Sequence, residues 1–308
     1  MKKHCPVCGF HFSPEYNNFL VYPSKIKDHN IPERIIICNN CALGISDPLL
    51  SDAMLEDYYK NSKYWKESSP KISIRKQPVL FAMAKARWAL IESFLIRQGI
   101  ISDVSLLDIG AGYGYLGMVA AKSKNVIIDK YTAVEPDQNI QKALSSAWPR
   151  IRSGCKLEIN SNLNQVNGKF EIVALSHVLE HVNDPLDLLN KAKSYINNDG
   201  LIFIDVPNMD CNFKEDVFPH VLFFTEKSVA ELFRKASMEV LFLAAFGISP
   251  DKSPLNKRAP LITKIRGKLL GNMSRFLPGR LSGNLFSHHF GISRQNPSGT
   301  WIRAIGKH

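Results

Sequence analysis

The chain has 308 residues, 45% of them hydrophobic, and a formal net charge of +11. This length supports a well-buried core and fits one large domain with appendages. A positive charge of this size suits nucleic acid, phosphorylated substrates or an anionic membrane surface. The sequence has no uncharged apolar run of about 18 residues, and its N-terminal residues lack the apolar centre of a signal peptide, so a cytoplasmic location is expected.

Four of the six cysteines form two pairs with C-x-x-C spacing, Cys5 with Cys8 and Cys38 with Cys41. Each pair can form a tight knuckle, and two knuckles supply the four thiolates of a tetrahedral Zn²⁺ site. A redox pair and plain buried cysteines are the alternatives. Strands over NNFLVYP and ERIIIC are predicted between the pairs. Residues 1–47 are therefore interpreted as a structural zinc-binding module, to which the metal contributes folding free energy.

The following segments alternate between helical and strand patterns. Residues 48–77 are predicted to form a connecting helix and loop, and an amphipathic helix is predicted from Pro78 to Arg97. Four apolar runs then alternate with helical stretches, which predicts parallel strands with right-handed crossovers over SLLDIG, YTAVEPD, FEIVALS and GLIFIDVP. After a helix over TEKSVAELFRKA, a fifth strand is expected over MEVLFLAAFG, and GTWIRAIGKH is predicted to pair back antiparallel.

The stretch LLDIGAGYGYLG ends the first of these strands and opens a helix near Tyr115. Its glycines allow the backbone to approach a ligand closely. Gly112, Gly114 and Gly117 satisfy the G-x-G-x-x-G pattern of a dinucleotide site, while a D-x-G-x-G-x-G pattern running from Asp108 is that of enzymes using S-adenosylmethionine. The glycines alone therefore leave both cofactors open.

Two carboxylates bear on that choice. Glu135 follows the second strand and can accept hydrogen bonds from ribose hydroxyls, which both cofactors possess. Asp108 directly precedes the first glycine, where it can accept from the cationic amino end of a zwitterionic ligand and would repel a dinucleotide pyrophosphate. Asp108 therefore favours S-adenosylmethionine.

These stretches, with FEIVALSHVLEHVNDPLDLLNKAKSYINNDGLIFIDVPN, resemble the class I S-adenosylmethionine-dependent methyltransferases. A segment that precedes these stretches is also similar to bacterial methyltransferases that carry an N-terminal zinc-binding module: IIICNNCALGISDPLLSDAMLEDYYKNSKYW. Those enzymes often act on nucleotide-linked sugars or other glycan precursors. The resemblance implies an α/β fold with a Rossmann-like methyltransferase sheet over residues 78–250, completed by a final strand over 298–308. Ala42 departs from the glycine expected in the second knuckle.

The resemblance also implies which residues bind the cofactor. The glycine turn and the acid after the second strand contribute Asp108, Gly110, Gly112, Gly114 and Glu135. The stretch KLEINSNLNQVNGKF corresponds to the family's third strand and its end, where Asn162 is an expected cofactor contact, and Ser176 and His177 are further expected contacts at the end of FEIVALS.

Two histidines are candidates for catalysis. The segment VFPHVLFFT resembles the Y-H-E-H-x-x-x-F-S segment of zinc-bearing sugar C-methyltransferases, with its final histidine at His220. Pro219 and Val217 replace the glutamate and the aromatic residue, which argues against carbon methylation and leaves a hydroxyl or amine acceptor. His220 is the predicted general base, and His181 the second candidate, with an orienting or structural role as its alternative.

Residues 251–297 are interpreted as a basic insertion or lid. Eight basic residues and one acidic residue lie between Asp251 and Arg280. Apolar residues in this segment recur at helical spacing: Leu261, Ile265, Leu269 and Met273. They predict either an interfacial helix that contacts an anionic membrane or a helix that packs over the active site. The expected function is methylation of a hydroxyl on a nucleotide-linked sugar or glycan precursor. One alternative is an RNA methyltransferase, which is disfavoured because the basic residues cluster near the C-terminal end of the sequence. The other is a non-catalytic S-adenosylmethionine-binding protein.

Overall fold

The structure is a computed structural model, and the residues that it describes are 4–13, 15–25, 31–60, 78–151, 154–253, 256, 260, 265, 269 and 290–308. The strands are β1 (Phe19–Val21), β2 (Arg34–Ile37), β3 (Gly44–Asp47), β4 (Val104–Ile109), β5 (Ile128–Val134), β6 (Lys156–Asn160), β7 (Phe170–Ser176), β8 (Ile196–Pro207), β9 (Leu222–Phe223), β10 (Glu239–Phe246) and β11 (Trp301–Lys307). The helices are α1 (Asp52–Lys60), α2 (Pro78–Arg97), α3 (Tyr115–Ala120), α4 (Gln138–Ala147), α5 (Pro185–Lys193) and α6 (Glu226–Lys235).

A seven-stranded sheet has the order β10-β11-β8-β7-β4-β5-β6. The five strands from β4 to β8 in chain order pair parallel to one another. β11 lies antiparallel between β8 and β10. The expected α/β class with a Rossmann-like sheet is confirmed, as is the antiparallel return of the last strand.

Helices cover both faces of this sheet. Successive residues of β4 enter different cores: Leu106 packs with α2, α3 and α4 residues, whereas Leu107 packs with α5 and α6 residues. A parallel sheet buried on both faces explains why its strands are continuous apolar runs in the sequence. The carboxyl ends of β4, β5, β7 and β8 consequently lie along one edge of the sheet.

A second, antiparallel sheet has the order β1-β2-β3-β9. β1, β2 and β3 come from the cysteine-bearing segment, but β9 comes from the methyltransferase domain, two residues after His220. β3 pairs with β9 through Gly44 opposite Phe223 and Ile45 opposite Leu222. The N-terminal module is thus joined to the segment that carries His220 by shared strand pairing.

Two predicted regions extend beyond the described residues. The loop expected after α1 lies outside them, and so does the predicted interfacial helix, apart from Ile265 and Leu269, whose side chains are exposed. Among the helices that the structure describes, none is both long enough and apolar enough to span a membrane.

Candidate active site

Three alternate glycines shape the turn after β4. Gly110, Gly112 and Gly114 have φ of 71°, 53° and 68°, in the left-handed region that favours glycine. A Cβ on Gly110 would lie 2.4 Å from Cγ2 of Val178, so the close approach of the chain also requires glycine there. The turn therefore exposes backbone rather than side chains at the carboxyl edge of the sheet.

Glu135 holds this turn in place at the end of β5. Its two carboxylate oxygens accept from the backbone N–H of Gly112 at 2.9 Å and of Asp137 at 3.0 Å. Asp137 caps α4 by accepting from the N–H groups of Asn139 and Ile140. Glu135 thus ties the glycine turn to the start of α4.

Asp108 and Glu135 are both buried at the base of the turn. Burial raises the pKa of Asp108 to about 7, although the hydroxyl of Tyr131 donates to it at 2.9 Å and the charge of Arg87 acts in the opposite direction. Burial likewise raises the pKa of Glu135 to about 7. Carboxylate oxygens have further lone pairs, so these two buried acids suit the ammonium and ribose hydroxyls of S-adenosylmethionine.

The other predicted cofactor residues follow neighbouring strands of the same edge. Ser176 ends β7, and its buried Oγ has no hydrogen-bond partner among the described residues. His177 has a φ of 56°, donates its backbone N–H to the backbone carbonyl of Asp205 at 2.8 Å, and places Nδ1 2.9 Å from Glu180 Oε1. Asn162 is exposed just beyond β6. Their contact with a cofactor stays a prediction.

The two candidate catalytic histidines contact each other. The rings of His181 and His220 form an edge-to-face pair with centroids 4.7 Å apart. Tyr59, from α1, places its hydroxyl 2.6 Å from Nδ1 of His181. Burial lowers the pKa of His181 to about 3, so its imidazole is neutral at physiological pH. A Glu180 carboxylate oxygen and ring nitrogens of both histidines lie within 4.8 Å of one another.

Asp210 is a site residue that the sequence reasoning missed. Its Oδ2 lies 3.2 Å from Nδ1 of His220 and 2.7 Å from Nζ of Lys214. Burial would raise the pKa of Asp210, but the charges of His220 and Lys214 hold it well below its usual range. The carboxylate is therefore ionised beside His220. Asp210 lies in a short 3-10 turn after β8, and no sequence motif marked it.

The four paired cysteines converge in a buried cluster. Their sulfur atoms all lie within 4.8 Å of one another. The Sγ atoms of Cys5 and Cys41 are 3.6 Å apart, and those of Cys8 and Cys38 are 3.5 Å apart. Ligands about 2.3 Å from a tetrahedral Zn²⁺ would be about 3.8 Å apart. The cluster therefore has the dimensions and the chemistry of a zinc site.

The two knuckles share one backbone conformation. Gly9 N–H donates to Cys5 O at 3.0 Å, and Ala42 N–H donates to Cys38 O at 2.8 Å. Gly9 and Ala42 occupy equivalent positions with φ of 77° and 60°. The alanine expected to weaken the second knuckle thus adopts the left-handed conformation that the turn requires.

The cysteine-bearing N-terminal module also holds the segment around His220. Tyr22 donates its hydroxyl to the carbonyl of His220 at 2.9 Å. Val221 accepts from the N–H of Ser46 at 2.9 Å and donates to the carbonyl of Glu180 at 2.8 Å. These bonds place His220 between the module and the turn that carries His181.

Comparison with known proteins identifies the family. The model for a methyltransferase domain matches residues 81–247, and the chain belongs to that family. With the site built on Asp108 and Glu135, this makes the protein an S-adenosylmethionine-dependent methyltransferase. A comparison with curated proteins finds no significant match.

Solved structures with a similar fold include several methyltransferases. The plantazolicin methyltransferase BpumL, in complex with SAH, matches with a TM-score of 0.51 and 12% identity over 82% of this chain and 94% of that chain. Magnesium protoporphyrin IX methyltransferase from Synechocystis, with bound SAH, gives 0.49 and 10% over 83% and 98%. Coclaurine N-methyltransferase, bound to N-methylheliamine and SAH, gives 0.45 and 17% over 72% of each chain. At these identities the BpumL match shows the fold alone.

Proposed function

We propose that the protein transfers the methyl group of S-adenosylmethionine to a hydroxyl of a nucleotide-linked sugar or glycan precursor, with His220 as the general base. The observation that carries this proposal is the contact of His220 with the ionised Asp210, in the segment that follows the carboxyl end of β8. A hydroxyl acceptor needs such a base, because it must lose its proton as it attacks.

When bound, S-adenosylmethionine supplies an electrophilic methyl group on a sulfonium. Asp108 and Glu135 would accept from its amino and ribose groups and so fix the direction of the methyl. Holding the acceptor oxygen in line with that methyl can contribute up to about 7 to 11 kcal/mol toward the barrier. Orientation is therefore the main task of the glycine turn and the two buried carboxylates.

The proton of the acceptor hydroxyl would pass to His220. The carboxylate of Asp210 faces Nδ1 of His220, which leaves Nε2 as the accepting atom and stabilises the positive charge that the ring acquires. Burial lowers the pKa of His181 to about 3, so this histidine is neutral. It therefore places no positive charge beside the ring of His220 when that ring takes up the proton. The arrangement suits a base that is protonated once in each turnover.

Two residues of the segment that carries His220 support an oxygen atom as the methyl acceptor. Pro219 and Val217 stand where the similar sugar C-methyltransferases carry a glutamate and an aromatic residue, and Val217 is buried. Neither side chain can take or give a proton, which favours an oxygen acceptor over a carbon acceptor. A sugar as the methylated molecule is supported by the resemblance of the N-terminal module, and of the segment that follows it, to those enzymes.

The four-cysteine cluster is proposed to hold a structural Zn²⁺. Its sulfurs are buried, and the sheet β1-β2-β3-β9 extends from the module to the residues beside His220. Metal binding would therefore stabilise the position of the base without taking part in the chemistry.

A transfer assay tests the proposed acceptor. The zinc-loaded protein is incubated with methyl-labelled S-adenosylmethionine and separate pools of nucleotide-linked sugars, lipid-linked glycans and RNA. Label in a sugar-containing fraction, attached to oxygen, is the expected result. Label in RNA, or on carbon or nitrogen of the sugar, would contradict the proposal.

The Asp210→Asn variant tests whether the Asp210 carboxylate assists His220 as the general base. Loss of the charge-assisted contact should lower kcat by about 10- to 100-fold, with little change in acceptor KM or in S-adenosylhomocysteine affinity. Glu231→Gln, which removes an exposed ion pair with Arg234, is the matched control and should leave all three values unchanged. Equal losses in kcat and in S-adenosylhomocysteine affinity would indicate a structural role for Asp210 instead.

A further inference from the structure

Glu180, His181 and His220 form a cluster of one carboxylate and two imidazoles. One possible ligand atom of each residue lies within 4.8 Å of those of the other two. Nε2 of His181 is 3.8 Å from Oε1 of Glu180. The Glu180 side chain is fully buried, and those of His181 and His220 are 10% and 13% exposed. Two imidazoles and one carboxylate are a donor set that binds Zn²⁺ in proteins.

One oxygen of the Glu180 carboxylate has no protein partner. Oε1 lies 2.9 Å from Nδ1 of His177, whereas Oε2 is buried and has no hydrogen-bond partner among the described residues. Burying a carboxylate oxygen without a partner costs free energy. A cation bound at the cluster would offset that cost, so the unpaired oxygen itself points to a ligand.

The other ring nitrogen of each histidine faces an oxygen. Nδ1 of His181 is 2.6 Å from the hydroxyl of Tyr59, which can accept a hydrogen bond from it. Nδ1 of His220 is 3.2 Å from Oδ2 of Asp210. Histidines that bind a metal usually donate their second N–H to such an oxygen, which fixes the tautomer and the orientation of the ring. The surroundings of both rings therefore suit a metal bound through Nε2.

The charges around the cluster favour a cation. Two carboxylates contact it, Glu180 itself and Asp210, and Nζ of Lys214 lies 2.7 Å from Asp210. Within the part of the chain that the structure describes, Lys214 is the lysine or arginine paired with either carboxylate. Imidazoles bind metals in their neutral form. Two carboxylates and one ammonium group therefore leave one negative charge beside the two rings.

The donor set also selects the kind of metal. Imidazole nitrogen suits Zn²⁺ and other first-row transition metals, whereas Mg²⁺ and Ca²⁺ prefer oxygen ligands. Ligands about 2.0–2.1 Å from a tetrahedral ion lie about 3.4 Å apart, so binding would draw the three side chains together by about 1 Å. Three protein ligands leave the fourth position to water or another small ligand.

We propose that Glu180, His181 and His220 bind a divalent transition-metal ion such as Zn²⁺, separately from the four-cysteine cluster, and that this ion inhibits methyl transfer. Nε2 of His220 is the atom that takes the proton of the acceptor, and it cannot hold a proton and a metal ion at the same time. The inhibition rests on the proposed function of His220, whereas the metal site does not.

Metal titration of the full chain tests the site. The protein is first loaded with one Zn²⁺ per chain at the four-cysteine cluster, and Co²⁺ is then titrated into the wild type, Glu180→Gln, His181→Gln and His11→Gln. The wild type should bind one Co²⁺ with the visible absorption of nitrogen and oxygen ligands and without the near-ultraviolet charge-transfer band of thiolates. Glu180→Gln and His181→Gln should each weaken binding by about 100-fold or more, because even the partner of a metal ligand contributes about 10- to 100-fold.

His11→Gln is the matched control. His11 is exposed, and its ring forms an edge-to-face pair with that of His4, with centroids 4.8 Å apart. The substitution thus removes an imidazole from a second histidine pair, and this variant should bind Co²⁺ as the wild type does. His181→Gln leaves the buried carboxylate in place, so it decides the question if Glu180→Gln does not fold.

Transfer assays on the same proteins test the inhibition. With the acceptor found in the labelled pools, saturating Co²⁺ should lower the transfer rate of the wild type and of His11→Gln by about 10²- to 10⁴-fold, the loss expected without a general base. A chelator too weak to remove the cysteine-bound Zn²⁺ should restore the rate.

The possible failures are distinguishable. No Co²⁺ binding beyond the four-cysteine cluster, equal affinity in the wild type and both cluster variants, or an equal loss in His11→Gln would overturn the metal site. Binding at the cluster with an unchanged transfer rate would overturn the inhibition. Binding with faster transfer would leave the metal site in place but would contradict His220 as the base, and so the proposed function.

Discussion

The Asp108→Asn substitution should separate stability from cofactor binding. Asp108 is 2% exposed, and burial raises its pKa from 3.8 to about 7. Between these pH values the folded protein holds a proton that the unfolded chain has lost, so this residue lowers stability as pH rises, with the full cost reached above pH 7. Asparagine removes the charge, and its amide oxygen can still accept from Tyr131.

The raised pKa sets the size of the effect. A difference of about three pH units corresponds to about 4 kcal/mol at pH 8 and to almost nothing at pH 4. Glu135 titrates in the same range in both proteins, so its contribution largely cancels in the comparison. Asp108→Asn should therefore increase the free energy of unfolding at pH 8 by up to about 4 kcal/mol, while weakening S-adenosylhomocysteine binding about 10- to 100-fold.

Urea denaturation of the ligand-free, zinc-loaded protein at pH 5 and pH 8 measures the stability, and calorimetry measures the binding. Asp129→Asn, at an exposed position of β5, is the control and should bind S-adenosylhomocysteine as the wild type does. A destabilised Asp108→Asn variant at pH 8, or one that binds S-adenosylhomocysteine as the wild type does, would refute the reasoning about this carboxylate.

Three further predictions concern the glycine turn and the cysteine-bearing N-terminal module. Gly110→Ala should destabilise the protein by about 1–3 kcal/mol, because its Cβ would meet Val178 at 2.4 Å, whereas Gly154→Ala, with no atom within 4 Å, should be neutral in urea denaturation. Ala42→Gly should raise the melting temperature of the zinc-loaded protein by relieving a φ of 60°; a lowered melting temperature would contradict that account of the knuckle. Chelation of zinc should lower the melting temperature and the transfer rate together, with recovery on zinc addition, and no change in either value would count against a structural metal.

The sequence was sufficient to predict the helices and strands in which apolar residues form a long and regular pattern. The Pro78–Arg97 helix and six strands of the larger sheet are continuous patterns with clear ends, and the structure confirms them: β4, β5, β7, β8, β10 and β11. The apolar pattern alone did not pick out β6, because it forms the edge of the sheet and most of its residues are only half-buried. β3 was also missed, since GISD is a short and partly polar run that is buried only because β9 covers it.

The glycine turn and its two carboxylates were predicted because local spacing determines their chemistry. Asp210 was missed because no motif marks the short turn that carries it. Tyr59 and Arg87 were missed because each makes its contact with a residue distant in sequence. Tyr59 meets His181 across 122 positions, and Arg87 meets Asp205 across 118. No local pattern encodes such contacts, since they depend on the order of strands in the sheet and the path of the N-terminal helices over it.

The central claim is tested most directly by single-turnover transfer with His220→Ala. The acceptor is the one identified in the labelled pools, and S-adenosylmethionine is saturating for both proteins. Loss of a general base should lower the transfer rate by about 10²- to 10⁴-fold, with S-adenosylhomocysteine affinity unchanged and partial recovery on addition of free imidazole. A rate within about threefold of the wild type would contradict the role of His220 and the mechanism built on it.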